Sequence, residues 1–276
     1  MKILSVVGAR PQFIKLAPLN EVIKKQANHV IVHTGQHYDR NLSEVFFEDF
    51  TIPTPDYNLK IGSASPGKQI SLMLPELENV FIKEKPDITI VYGDTNSTLA
   101  GAISSIQNHI PVVHVEAGPR YKKMDAPEMV NRVVVDNISS LLFCASKKNL
   151  QNLEEEGLGK RAHFVGDLMY DAFCSMQKQF SKRKSLLSRL NLVEGQYHLV
   201  TCHRAENTDN KEHMRIIIEA LRDSKEQMVF PMHPRTKKMV KKFGLSHLIE
   251  DSSNITLLEP MGYIDFLTLA RYSHKI

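Results

Sequence analysis

Short apolar runs rich in β-branched residues alternate along this chain with longer amphipathic segments. That rhythm predicts buried parallel strands joined by crossover helices. Ile3–Val7 reads as the first strand, followed by a helix over about Phe13–Lys25 and a second strand at Val30–His33. Ile88–Tyr92, Val112–Val115, Leu141–Cys144 and His163–Val165 continue the series, and Gly166–Asp171 leads into a helix that runs toward Phe180. Lys178 to Lys184 is polar and basic and reads as an inter-domain stretch or loop. The pattern then restarts, with strands at Tyr197–Thr201, Met228–Pro231 and Ile255–Leu258 and helices near Lys211–Arg222 and Thr236–Phe243. A last helix is expected at about Ile264–Arg271, and Tyr272–Ile276 reads as the lead into another strand. The predicted class is therefore α/β, with domains at 1–175 and 176–276. A sheet stopped at that last strand would leave unpaired edge groups, so the second domain is expected to be incomplete.

Composition narrows the function classes. A chain of 276 residues with 42% hydrophobic and 24% charged residues suits a globular protein of one large or two medium domains. The net charge of +4, from 35 basic and 31 acidic residues, is too small to argue for a nucleic-acid partner. It leaves room for a local cationic pocket facing an anionic small molecule. Three cysteines without a CxxC pair suggest neither a disulfide framework nor a structural zinc site. The opening apolar run is too short for a signal-peptide core, and no apolar stretch reaches membrane-spanning length. The expectation is a cytoplasmic protein with no membrane partner.

Residues of catalytic type recur just past the predicted strand ends. Arg10 follows the first strand, Asp94 follows Ile88–Tyr92, and Glu116 follows Val112–Val115. His203 and Arg204, then His233 and Arg235, do the same in the second block. In open parallel sheets ligands bind outside the carboxyl ends of the strands. Any single one of these residues could be a helix cap or a turn residue; their joint placement is the informative observation. Gly8-Ala9-Arg10-Pro11 is a strand-to-helix turn but not GxGxxG, so nicotinamide binding is unsupported. Its helix N-terminus favours an anion, which Arg10 could fork. Lys15, a turn further on, reads by itself as a solvated helix lysine. Asp94 is a candidate cap for the helix after it, or a substrate-facing carboxylate. A carboxylate half buried at Glu116 would have a raised pKa, as proton transfer near neutrality requires. Glu128 opens another helix, where the dipole favours it and Arg132 could pair with it. His203 could serve a leaving group or be a core histidine bonded to backbone.

Taken together these motifs resemble those of the non-hydrolysing UDP-N-acetylglucosamine 2-epimerases. The resemblance rests on Gly8–Pro18, Thr34–His37, Gly93–Thr95, His114–Gly118, Pro127-Glu128 with Asn131-Arg132, and His203-Arg204 with Glu206-Asn207. His233-Pro234-Arg235 and Tyr263–Leu267 are also similar. It implies two Rossmann-like halves around a cleft, as in one glycosyltransferase architecture (glycosyltransferase-B-like). It also implies interconversion of UDP-GlcNAc and UDP-ManNAc by elimination and re-addition of UDP. Asp94, Glu116 and Glu128 would be the carboxylates near the sugar, and His203 would assist the departing UDP. Arg10, Lys15 and Arg132 would help hold substrate charge, with Arg204, Glu206, Asn207 and His233 as further substrate-binding positions and Phe266 by the uracil. Gln36 and His37 match a regulatory region of bacterial members, although Asp39 and Arg40 depart from it. No redox cofactor or metal is called for. A homodimer and a place in cell-envelope polysaccharide synthesis are further family expectations. Other departures are Met129, where a second glutamate is frequent, and Pro119, where leucine is usual. Two alternatives stay open: an epimerase of another UDP-2-acetamido sugar, and a truncated, non-catalytic sugar-nucleotide-binding chain.

The family pattern continues beyond the position of Ile276 with Ser-Gly-Gly and Gln-Glu-Glu, which supply diphosphate and ribose contacts. A diphosphate without that second clamp is poorly held, so the 276-residue chain is expected to turn over UDP-GlcNAc weakly or not at all. Turnover by these 276 residues at the rate of relatives carrying that segment would overturn this expectation.

Overall fold

Five successive residues of the first strand, Ile3 to Val7, are buried, as a strand covered on both faces requires. In this computed structural model, which describes residues 1–36, 54–121 and 126–276, the chain divides into two compact units, Met1–Ser175 and Met176–Ile276. The elements of the first are β1 (Lys2–Val7), α1 (Arg10–Ile23), β2 (Asn28–His33), β3 (Tyr57–Asn58), α2 (Pro66–Glu84), β4 (Ile88–Tyr92) and α3 (Asn96–Gln107). They continue with β5 (Val112–Val115), α4 (Pro127–Ile138), β6 (Leu141–Cys144), α5 (Lys147–Glu155), β7 (Ala162–Phe164) and α6 (Leu168–Lys182). Helix α6 runs across the boundary between the units.

The strand order is β3-β2-β1-β4-β5-β6-β7, and every pair is parallel. The direction of winding reverses between β1 and β4, the place where doubly wound sheets open a crevice at their carboxyl edge. The register Val6↔Val91 and Val91↔His114 sets the ends of β1, β4 and β5 side by side. Leu4, Val6, Val32, Leu77, Phe81 and Val91 form the core between sheet and helices. Burial of each such side chain stabilises by about 1.5–3 kcal/mol. Helix α3 lies so close to β1 that a Cβ on Gly101 would stand 3.1 Å from the Val6 Cβ.

The second unit contains α7 (Ser185–Arg189), β8 (Tyr197–Leu199), α8 (Ala205–Thr208), α9 (Lys211–Asp223), β9 (Gln227–Pro231), α10 (Pro234–Lys242), α11 (Ser246–Glu250), β10 (Ile255–Leu258) and α12 (Tyr263–Tyr272). Its sheet has the order β10-β9-β8 and is parallel. On the other side of β8, His274 N donates to Tyr197 O at 2.8 Å and Leu199 N to Lys275 O at 2.9 Å. The residues after α12 thus pair as an incoming strand would.

The strands at Ile88–Tyr92, Val112–Val115, Leu141–Cys144 and Ile255–Leu258 coincide with the expected spans. The stretch Lys178 to Lys184, expected as an inter-domain stretch or loop, follows closely on the boundary between the units, but it is helical as far as Lys182. Ala172, Met176 and Phe180 are buried four residues apart, so an apolar stripe carries the helix through the lysines. Helices α2 and α5 were not anticipated by the alternation of apolar runs. In α2 the buried positions Gln69, Met73, Leu77, Val80 and Phe81 recur at helical spacing, while Pro75 stands on the exposed face.

A polar chain lies under β1. Tyr92 Oη is 2.8 Å from Ser5 Oγ, which is 2.8 Å from His29 Nε2, and His29 Nδ1 is 2.8 Å from Asn20 Oδ1. Burial pulls His29 from 6.5 down to about 4, against a smaller opposing pull from Asp56. The unfolded chain therefore binds a proton that the folded chain resists. Stability is expected to fall as pH drops from about 6.5 to about 4, and His29→Gln to flatten that slope. Urea titrations across this window check it; an unchanged slope in the variant would remove His29 as the cause.

Candidate active site

Each of the three adjacent strands β1, β4 and β5 ends in a turn that presents a charged side chain. After β1, the Gln12 side chain organises the turn: its Oε1 accepts from Gly8 N at 2.7 Å and Ala9 N at 3.0 Å. Its Nε2 donates to Tyr92 O at 2.9 Å and Thr98 Oγ1 at 3.0 Å. Two N–H groups that could have met an anion at the start of α1 are thus already bonded. Arg10 is the first residue of that helix, and burial pulls its guanidinium below its ordinary pKa.

Lys15 is not a solvated helix lysine. It is 5% exposed, and its ammonium donates to Glu116 Oε2. A buried ammonium is costly unless paired, so the carboxylate is held where the lysine can reach it. Glu116 itself has φ of 67°, a left-handed conformation that costs a residue with a Cβ about 1–3 kcal/mol and clusters at functional sites. Opposite it, Gly93 also has a φ of 67°, and a Cβ there would lie 3.2 Å from Glu116 Oε2.

After β4, the cap of α3 is Thr95, not Asp94. The Asp94 carboxylate instead accepts from Arg132 Nη2 at 2.6 Å. Arg132, on α4, is 2% exposed, whereas Asp94 keeps a quarter of its side chain accessible. Arg132 Nη1 donates to Glu116 O, and Nη2 lies 3.8 Å from Glu116 Oε2. The expected pairing of Arg132 with Glu128 therefore gives way to one with the strand-end residues. Beside it, Asn131 Nδ2 donates to Asp94 O at 3.0 Å. The structure brings Lys15, Asp94, Glu116 and Arg132 together. Glu128 stands exposed in the first turn of α4, and its neighbour Met129 is fully buried.

Sequence reasoning missed the layer beneath. His114 Nδ1 is 2.7 Å from Asp136 Oδ1, and Nε2 is 2.7 Å from Gly93 O. Arg120 Nη1 and Gly118 N donate to Asp136 Oδ2 at 2.8 and 3.3 Å. Burial alone would raise the Asp136 pKa, but the bonds from His114 and Arg120 outweigh it and hold the carboxyl below its ordinary value. The available signal was Asp136 standing one turn after Arg132, on the same face of the helix. Also missed was a cavity of about 170 Å³ beside Lys15 and Glu116, lined further by Phe143, Val165, Asp167 and Asp171.

Gln36 Oε1 accepts from Ser97 N at 3.2 Å and Ser97 Oγ at 2.7 Å, tying the segment after β2 to the first turn of α3. His37 lies outside the described residues.

In the second unit the strand-end residues are more open. His203 and Arg204 are exposed. Arg204 Nη1 lies 3.8 Å from Glu206 Oε1, with both side chains mostly in solvent, a geometry worth little. Asn207 is half-buried. His233 caps α10 by accepting from Arg235 N at 3.1 Å, and its ring centroid is 5.8 Å from that of His203. Phe266 packs, partly buried, against the cluster containing Leu199, Val229 and Leu269.

The family model described as UDP-N-acetylglucosamine 2-epimerase matches residues 21–276. A UDP-N-acetylglucosamine 2-epimerase homolog of Methanococcus maripaludis is 45% identical over 277 residues, covering 100% of this chain and 78% of the relative. A UDP-2,3-diacetamido-2,3-dideoxy-D-glucuronate 2-epimerase of Pseudomonas aeruginosa is 40% identical, covering 99% of this chain and 76% of the relative. The fold is similar to a crystal structure of Methanocaldococcus jannaschii UDP-GlcNAc 2-epimerase in complex with UDP-GlcNAc and UDP. That similarity has a TM-score of 0.88 at 40% identity and covers 99% of this chain and 77% of the other.

Removing Arg132 leaves the Asp94 carboxylate and the Glu116 carbonyl without their shared donor. Arg132→Met is expected to lose about 2–3 kcal/mol, short of the ~3–5 of a fully buried pair because Asp94 keeps contact with water. Arg132→Lys should recover less than half, since an ammonium cannot fork to both loops. Urea unfolding measures both; a loss below about 0.5 kcal/mol in Arg132→Met would discard this role.

Proposed function

The chain belongs to the UDP-N-acetylglucosamine 2-epimerase family, and from that premise we propose how its residues interconvert UDP-GlcNAc and UDP-ManNAc. The observation that carries the reading is a pair of part-exposed carboxylates on adjacent strand ends, each backed by a buried cation: Asp94 on Arg132 and Glu116 on Lys15. Inversion at C2 needs a proton removed from one face of the sugar and delivered to the other, so two separately held carboxylates suit it. Loss of UDP builds positive charge at C1, which makes the C2 proton easier to remove. Asp94 and Glu116 take the proton-transfer roles, with Glu128 as the third carboxylate near the sugar.

Charge growing on the leaving diphosphate calls for cationic and hydrogen-bonding groups. We assign His203 to that step, with Arg10, Lys15, Arg132, Arg204 and His233 holding substrate charge. Glu206 and Asn207 bind the nucleotide-sugar, and Phe266 meets the uracil. Gln36 is assigned with His37 to regulation, its bond to Ser97 giving it a hold on the helix that follows Asp94. The proposal includes a homodimer, measurable by sedimentation velocity, and action in the cytoplasm. Among the described residues no helix is long and apolar enough to cross a membrane.

The Pseudomonas aeruginosa relative supplies a second reading, in which the substrate is a diacetamido uronic acid. Comparing kcat/KM for both UDP-sugars side by side decides between them. For the primary reading, Asp94→Asn and Glu116→Gln are each expected to lower turnover by about 10²–10⁴, a larger effect than the loss of stability, because each amide keeps an acceptor oxygen for its buried cation. Turnover is followed as UDP-ManNAc formed and as deuterium incorporated at C2. Wild-type rates in both variants would take these carboxylates out of the mechanism.

A further inference from the structure

One buried ring links the two loops that carry the candidate carboxylates. His114 lies on β5 two residues before Glu116, and it is fully buried, as is Asp136. Its Nε2 faces the carbonyl of Gly93, the residue before Asp94, at 2.7 Å. Its Nδ1 faces Asp136 Oδ1 at 2.7 Å. Each ring nitrogen thus faces an oxygen, the carbonyl of Gly93 on one side and the carboxylate of Asp136 on the other. The second oxygen of Asp136 holds the segment after Glu116 through Gly118 N and Arg120 Nη1. Helix α4 therefore grips the site twice, at Arg132 and one turn later at Asp136. Between these grips Glu116 sits in its left-handed conformation, facing Gly93 in the same region of φ.

We propose that His114 and Asp136 are positioning residues for the proton-transfer step, fixing the Gly93 carbonyl and the backbone of Glu116 so that the Asp94 and Glu116 carboxylates keep their spacing. Neither side chain reaches the reacting atoms. The proposal rests on the reading of Asp94 and Glu116 as the proton-transferring groups. Its energetic logic is that a displacement of about 1 Å at a reacting group costs on the order of 10²-fold in rate, whereas substrate held by other contacts binds as before.

The test is a series at one position. His114→Ala is expected to lower kcat about 10²-fold while KM changes by less than about threefold. His114→Gln can place its amide N–H near the Nε2 position and should recover about tenfold over alanine; His114→Asn, whose amide sits near Nδ1, should not. Asp136→Asn is expected to lower kcat about tenfold at unchanged KM. A KM that rises while kcat holds, or equal rates in the glutamine and asparagine variants, would overturn the proposal. If the alanine variant does not fold, the glutamine-to-asparagine comparison carries the same test. A crystal structure of His114→Gln or His114→Ala provides a readout independent of turnover. Displacement of the Gly93 carbonyl and Glu116 in the alanine variant, restored in the glutamine variant, supports the proposal, and an unmoved backbone in both overturns it. Asp94→Asn and Glu116→Gln at full activity would instead defeat the functional reading, whatever the His114 series gives.

Discussion

The Arg132 guanidinium, almost wholly buried, donates from one nitrogen to the Asp94 carboxylate and from the other to the Glu116 carbonyl. A cation taken out of water must find acceptors close by, or the fold bears the full desolvation cost. Here the acceptors are the ends of two different strands. The planar fork of arginine can satisfy both at once, which a lysine could not. Lys15 makes the same demand on the Glu116 side chain. Two buried cations thus dictate where two part-exposed carboxylates stand, and the positions of the carboxylates make burial of the cations tolerable.

That arrangement is only available because of the sheet order. The reversal between β1 and β4 sets the ends of β1, β4 and β5 in one row, and α4 crosses near enough to reach two of them. The tight approach at the row has a backbone cost. Glu116 adopts positive φ despite its Cβ, and Gly93 opposite it has no Cβ to collide with the Glu116 carboxylate. Strain of this kind persists only where surrounding bonds over-determine it. The buried links from Arg132, His114 and Asp136 are the bonds that do so.

The second unit handles its polar strand ends differently. His203 and Arg204 stand in solvent, and the Arg204–Glu206 contact is long and exposed. The better-held groups there serve structure: His233 caps α10, and Thr236 Oγ1 donates to Cys202 O. Within this unit the side chains assigned to UDP are therefore less constrained than the carboxylates of the first.

Much of the architecture was readable in the chain. Apolar, β-branched runs bury on both faces only as interior parallel strands, so Ile88–Tyr92 and Val112–Val115 could be placed without coordinates. The polar residue after each run was readable for the same reason, since strand ends are where such sheets turn back into helices. The helix running toward Phe180 was readable in the same way; local pattern failed in α2, where the glutamine Gln69 took a buried place. Partner choice was decided by tertiary structure alone. Lys15 reads as a solvated lysine and Arg132 as the neighbour of Glu128, because sequence shows only what is close along the chain. Lys15 and Glu116 are separated by 101 positions, and Arg132 and Asp94 by 38. Desolvation and charge pairing depend on distance in space, so these contacts arose only when the sheet brought its strand ends together.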